Sequence, residues 1–130
     1  KSEEDGKAYV NQGTRPAPNW VAVGTEAQGD ISADGAVTIP DSGEITYYIT
    51  KGSAAALTLA APSTDQEGVE ISFESMTAFA HTVTVATAGF NDLGASGDVA
   101  TFSGAKGDHM TVKAKLGDWM ITARYGITLS

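Results

Sequence analysis

The sequence predicts an all-β fold: a compact antiparallel β-sandwich or barrel over residues 28–130, preceded by an extended N-terminal arm over residues 1–27. Three observations predict it. Short segments of apolar/polar alternation recur from Asp30 onward, Gly, Pro, Asp and Ser punctuate them, and no segment carries the apolar spacing of an amphipathic helix. A chain of 130 residues holds one sizeable core and leaves little room for a second. Gly, Ala, Thr and Ser supply much of the strand-like sequence, which suits thin β-structure better than a deep enzymatic cleft.

The arm, Lys1 to Ala27, has neither helical nor strand periodicity. Its KSEEDGK start is charged, and Arg15-Pro16-Ala17-Pro18 excludes regular helix and favours an extended path. Tyr9, Val10, Trp20 and Val21 are side chains that a purely solvating tail seldom carries. They are therefore the expected contacts of a segment that orders by lying on a neighbouring subunit, the competing reading being a solvated tail.

Beyond the arm, Asp34-Gly35 signals a two-residue hairpin between Ile31 and the pair Val37 and Ile39, and Pro40 to Gly43 forms the next turn. Glu44 to Thr50 alternates Ile45, Tyr47 and Ile49 against Thr46, Tyr48 and Thr50. Ala54 to Ala60 reads as strand, because Gly52 and Pro62 leave too few residues for a stable helix. After the polar loop Thr64 to Gly68, Val69, Ile71 and Phe73 alternate with Glu70, Ser72 and Glu74. Alternation resumes over His81 to Thr87, and Gly89 to Gly94 reads as a loop folded back on the core.

The best-patterned stretch comes last. Met110, Val112, Ala114 and Leu116 share one parity, Gly117-Asp118 forms a turn, and Trp119, Ile121, Ala123 and Tyr125 share a parity on the return strand. The expected core anchors are Trp119, Phe73, Ile121, Val112 and Leu116.

Eight Lys or Arg stand against sixteen Asp or Glu, a formal net charge of −8 that repels nucleic acid and anionic membrane surfaces. Direct nucleic-acid and membrane partners are therefore not expected. The lack of cysteine excludes disulfides, thiolate metal sites and cysteine nucleophiles, and fits a product of a reducing cytoplasm. His81 and His109 have no zinc-ligand spacing, and Asp108-His109 are strand neighbours pointing to opposite faces, unable to orient one another as a catalytic dyad. Gly104 to Asp108 reads as a turn between strands, and the scattered Asp residues lack calcium-loop spacing. No catalytic residue, cofactor site or metal site is expected. Tyr48 is a candidate for carbohydrate or subunit contact.

Leu59 to Pro62, Gly68 with Ile71, Ala80-His81-Thr82-Val83-Thr84, Gly89-Phe90-Asn91, Val99 to Phe102, Gly107-Asp108, Gly117-Asp118-Trp119 and Gly126 to Leu129 form a pattern of turns and strands. Over about Ile39 to Ser130 this pattern resembles the β-domain of tailed-bacteriophage virion proteins, namely head decoration (cement) proteins and head or tail fibre modules. The resemblance implies a homotrimer without enzymatic activity or cofactor, made in the bacterial host cytoplasm and placed on the virion surface, with the major capsid protein as partner. The alternative it implies is a receptor- or glycan-binding fibre module that recognises a host-surface glycan.

Overall fold

The chain passes back and forth between two facing β-sheets, as seen in a computed structural model that describes residues 27–85, 89–92 and 95–130. The proposed arm contacts Tyr9, Val10, Trp20 and Val21 lie outside the described residues. One sheet holds β1 (Ala27–Ile31), β3 (Glu44–Ile49), β5 (Glu70–Ser75), β7 (Phe90–Asp92), β8 (Ala95–Gly97), β10 (His109–Lys115) and β11 (Asp118–Tyr125). The other holds β2 (Gly35–Ala36), β4 (Ala56–Thr58), β6 (Thr82–Thr84), β9 (Val99–Phe102) and β12 (Ile127–Leu129). Their spatial orders are β1-β3-β5-β10-β11-β7-β8 and β12-β9-β6-β4-β2. Among the described residues the one helical piece is the single 3-10 turn Thr64–Gln66.

The core fills the space between the sheets. Ile49, Ile71, Phe73, Met110, Val112 and Trp119 project from the seven-stranded sheet and meet Leu57, Val83, Ala100, Phe102 and Ile127 from the five-stranded one. Trp119 is fully buried, and its indole N–H donates to the Ala60 carbonyl at 2.8 Å, just past β4, so one side chain links the two sheets. Gly29 is needed by close approach: a Cβ there would stand 2.9 Å from the ring of Tyr47, whose hydroxyl donates to the Thr38 carbonyl.

The fold is the expected β-sandwich, but its sheets are mixed rather than antiparallel. β1, β3 and β5 run parallel, as do β2, β4 and β6. A parallel neighbour requires a crossover back to the starting end, and here a strand of the opposite sheet supplies each crossover. Asp34-Gly35 is accordingly an inter-sheet corner and not a hairpin turn. The Asp34 carboxylate accepts the Ala56 N–H at 2.9 Å and pairs with Lys51 at 2.7 Å, tying the corner to the next coil of chain. The expected loop at Gly89 to Gly94 instead contains β7, which pairs parallel with β11 and places Phe90 in the core.

Two corrections concern the final hairpin. Leu116 is not a core anchor: it is 81% exposed, with φ at 52°. Lys115 pairs with Asp118, so the two-residue turn is Leu116-Gly117, one residue earlier than expected, and both residues have positive φ as a hairpin of this length demands. Glu67 holds the turn by accepting the Leu116 N–H at 2.9 Å. The second correction is a β-bulge. Val112 pairs with Ile121 but Thr111 pairs with Ala123, leaving Thr122 as the extra residue. Trp119 and Ile121 therefore face inward, while Ala123 and Tyr125 move to the outer side with Thr111 and His109.

Candidate binding faces and buried polar clusters

The outer face of the five-stranded sheet follows from strand parity. Leu57, Val83, Ala100, Phe102 and Ile127 point inward, so the alternate residues point out. Register aligns them in two rows: Ala56, Thr82, Thr101 and Thr128, then Ala36, Thr58, Thr84 and Val99. None is charged and none is large. In a chain with a net charge of −8, this leaves a sheet face of methyls and hydroxyls with no charged side chain of its own to meet another acidic surface at contact.

The outer face of the seven-stranded sheet is different. One row runs Asp30, Tyr48, Glu74, His109 and Tyr125 across β1, β3, β5, β10 and β11. The next runs Gln28, Thr46, Ser72, Thr111 and Ala123, with the Ser72 and Thr111 hydroxyls 2.9 Å apart. A third carries Glu44, Glu70, Lys113 and Met120. Tyr125 and His109 stack with ring centroids 5.7 Å apart and planes 16° from parallel.

The two histidines lie on opposite sides of a sheet and serve different ends. His81 is fully buried, edge-on to the rings of Phe79 and Phe102. Its Nδ1 accepts the Ala55 N–H at 2.9 Å, which places the ring proton on Nε2, where it donates to Thr77 Oγ1 at 3.0 Å. That hydroxyl in turn donates to the Lys51 carbonyl at 2.8 Å. Every polar atom of the neutral imidazole is used to join the β3–β4 and β5–β6 connections. Burial is the main cause that holds the His81 pKa below its ordinary value of 6.5; the Thr77 contact opposes this and Lys51 adds to it.

A neutral buried histidine favours the folded state fully above pH 6.5, and the benefit is lost as pH falls from there through the lowered folded value. The urea midpoint is therefore expected to drop between about pH 7.5 and about pH 5, and to drop less in His81→Phe. Equal pH slopes for the two proteins would contradict this assignment.

Asp108, also buried, caps the turn between β9 and β10. Its Oδ2 accepts the Ser103 N–H at 3.0 Å, the Ser103 hydroxyl at 2.7 Å and the Ala105 N–H at 3.2 Å. Desolvation pushes its pKa up, but the hydrogen bonds from Ser103, Ala105 and Gly104 outweigh it and leave the carboxyl below its ordinary value of 3.8. His109, one residue on, is outside on the sheet face with Nδ1 2.9 Å from the Gly107 carbonyl. Asp108 and His109 are thus separated by the sheet, and Gly104 to Asp108 is an inter-strand turn.

Among the described residues, no three His, Asp or Glu side chains converge as a metal site would require. An open depression of about 330 Å³ lies between Asp30, Asp34, Val37, Tyr47 and Leu57, where Lys51 neutralises Asp34. Of the residues singled out in the sequence, Trp119, Phe73, Val112 and Ile121 come together in the core, while Tyr48 stands on the outer face of the seven-stranded sheet. Abundant Ala, Thr and Val on strand faces suit packing about a threefold axis, but only the register shows which of them align, and Tyr125 shares in the sequence the inward parity of Trp119 and Ile121. The Thr-x-Thr of Thr82 to Thr84 was a legible sign of the threonine rows, whereas nothing local marked the bulge that turns Tyr125 outward. Neither a protein-family model nor a curated protein matches the chain.

Proposed function

We propose that the protein is a structural, adhesive module: a homotrimeric decoration protein that binds the outer surface of a bacteriophage capsid. The observation that carries this reading is the uncharged Thr, Ala and Val face of the five-stranded sheet in an otherwise acidic chain. Such a face lets copies of this chain, or this chain and a shell protein, meet without bringing like charges together. Apolar methyls supply contact area, and threonine hydroxyls can satisfy one another across the joint. The virion setting rests on the resemblance of Ile39 to Ser130 to decoration and fibre β-domains. The arm, with Tyr9, Val10, Trp20 and Val21, would add a second foothold per subunit, so that three linked weak contacts act as one strong one.

The test places charge on the face. Thr82→Glu with Thr101→Glu puts two carboxylates side by side on outward positions without touching the core, so the fold should be kept at a cost of about 1 kcal/mol from their mutual repulsion. Light scattering on the parent should give a trimer mass, and the double variant should dissociate or lose binding to undecorated capsids. A variant that stays trimeric and still decorates capsids removes this face from the mechanism. A parent that binds host cells but not capsids replaces the decoration reading with the fibre one.

A further inference from the structure

We propose that the outer face of the seven-stranded sheet is a saccharide-binding site, built on the row Tyr48, Glu74, His109 and Tyr125 and taking a neutral oligosaccharide. The site goes beyond the capsid reading and does not depend on it, since it uses the opposite face of the sandwich.

The chemistry of a sugar ring is mixed. Its axial C–H groups form apolar patches that stack on aromatic faces, and its rim of hydroxyls needs donors and acceptors at fixed directions. The row supplies both. Tyr48 and Tyr125 stand on β3 and β11, three strand spacings or about 14 Å apart, a span suited to a short oligosaccharide lying across the strands. Between them are a carboxylate, which accepts from sugar hydroxyls, and an imidazole. Beside the row lies the hydroxyl pair of Ser72 and Thr111, 2.9 Å apart.

The groups are held in place before any ligand arrives. Tyr125 stacks on His109, and the Gly107 carbonyl, which can only accept, receives the His109 Nδ1–H at 2.9 Å. In the neutral ring Nε2 is then an acceptor for a sugar hydroxyl. Tyr48 and Glu74 are each half-buried by their strand neighbours, so little side-chain freedom is lost on binding. Among the described residues no cation pairs with Glu74.

Two features select the ligand class. Charges across the three rows are predominantly acidic, with Asp30, Glu44, Glu70 and Glu74 against Lys113, which disfavours sialylated, phosphorylated or sulfated chains. The Ser72 and Thr111 hydroxyls also occupy the middle of the face, where a protein-binding hot spot places a desolvated cluster of Trp, Tyr or Arg, which argues against a protein occupant.

The full chain would be titrated by calorimetry with maltotriose, cellotriose, N-acetylchitotriose and a sialylated trisaccharide. At least one neutral trisaccharide should bind, and the sialylated one should not. Tyr125→Ala and Glu74→Gln should each weaken binding by about tenfold or more while keeping the parent's melting temperature. Thr82→Glu with Thr101→Glu should leave the affinity per subunit unchanged, which separates this site from the proposed assembly face. Failure of all three neutral sugars, binding of the sialylated one alone, or indifference to Tyr125→Ala and Glu74→Gln would each overturn the site. So would a change of oligomeric mass in Tyr125→Ala, which would make the row a contact between copies of the chain.

Discussion

Trp119→Ala is expected to lower stability by about 3 to 5 kcal/mol, the cost of a large buried aromatic plus the cavity it leaves. The side chain is fully buried, and its backbone neighbours are Ala114 on β10 and Phe90 on β7. Truncation would therefore open a hole where three strands of the seven-stranded sheet meet the opposite sheet. It would also orphan the Ala60 carbonyl, which accepts the indole N–H at 2.8 Å. For a domain of this size the loss corresponds to a fall of roughly 15 to 30 °C in melting temperature. In urea the midpoint should move and the slope should stay, because the folded state remains compact. Trp119→Phe separates the two causes: it restores much of the volume without the hydrogen bond, and should recover more than half of the loss. A melting temperature for Trp119→Ala within a few degrees of the parent would remove this residue from the centre of the core.

The second large effect is expected at Gly126, the single residue between β11 and β12 where the chain changes sheets. Its φ is 71°, a left-handed conformation that costs a side-chain-bearing residue about 1 to 2 kcal/mol. A Cβ there would also stand 2.1 Å from Oδ1 of Asp108. That carboxylate cannot withdraw freely, because its other oxygen holds the Ser103 and Ala105 N–H groups and the Ser103 hydroxyl. Adding overcrowding of about 1 to 3 kcal/mol gives an expected cost for Gly126→Ala of roughly 2 to 5 kcal/mol. The collision makes the two positions interdependent. In an Asp108→Ala background, itself destabilised by orphaned donors, Gly126→Ala should cost less than it does alone. Strict additivity in that double-mutant cycle would show that only backbone conformation matters at Gly126.

Asp108 also sets the behaviour of this corner in acid. Its folded pKa lies below the ordinary 3.8, so its contribution is complete above pH 3.8 and is lost as pH falls through the lowered folded value. The loss due to His81 begins higher, below pH 6.5. Acid unfolding should therefore show a shallow decline followed by a steeper one, and Asp108→Asn should blunt the second part alone.

Much of the strand content was readable because alternation is a local property. Ile45, Tyr47 and Ile49, or Val69, Ile71 and Phe73, reveal an inward face whatever strand lies beside them. The uncharged outer face was partly readable for the same reason, in the outward threonines of β6. Strand neighbours were not readable. Asp34-Gly35 carries the composition of a hairpin turn, yet the Asp34 carboxylate binds Lys51 and the Ala56 N–H, partners far along the chain that make it a corner between sheets. Leu116 followed the parity of β10, but Gly117 fits the second place of a two-residue turn, and this draws Leu116 out of the strand into a left-handed conformation.

By itself, then, the sequence determined an all-β chain with alternating faces, an acidic surface, and Trp119 and Phe73 as core residues. These follow from side-chain polarity and backbone preference, which act within a few residues. Only the tertiary structure decided that the sheets are mixed, that eight small uncharged residues align on one face, and that Tyr125 joins Tyr48, Glu74 and His109 on the other. Each of these depends on which strands lie side by side and in what register. The bulge at Thr122 is the sharpest case: one extra residue in β11 reverses the direction of every side chain after it, and it exists only relative to a partner strand.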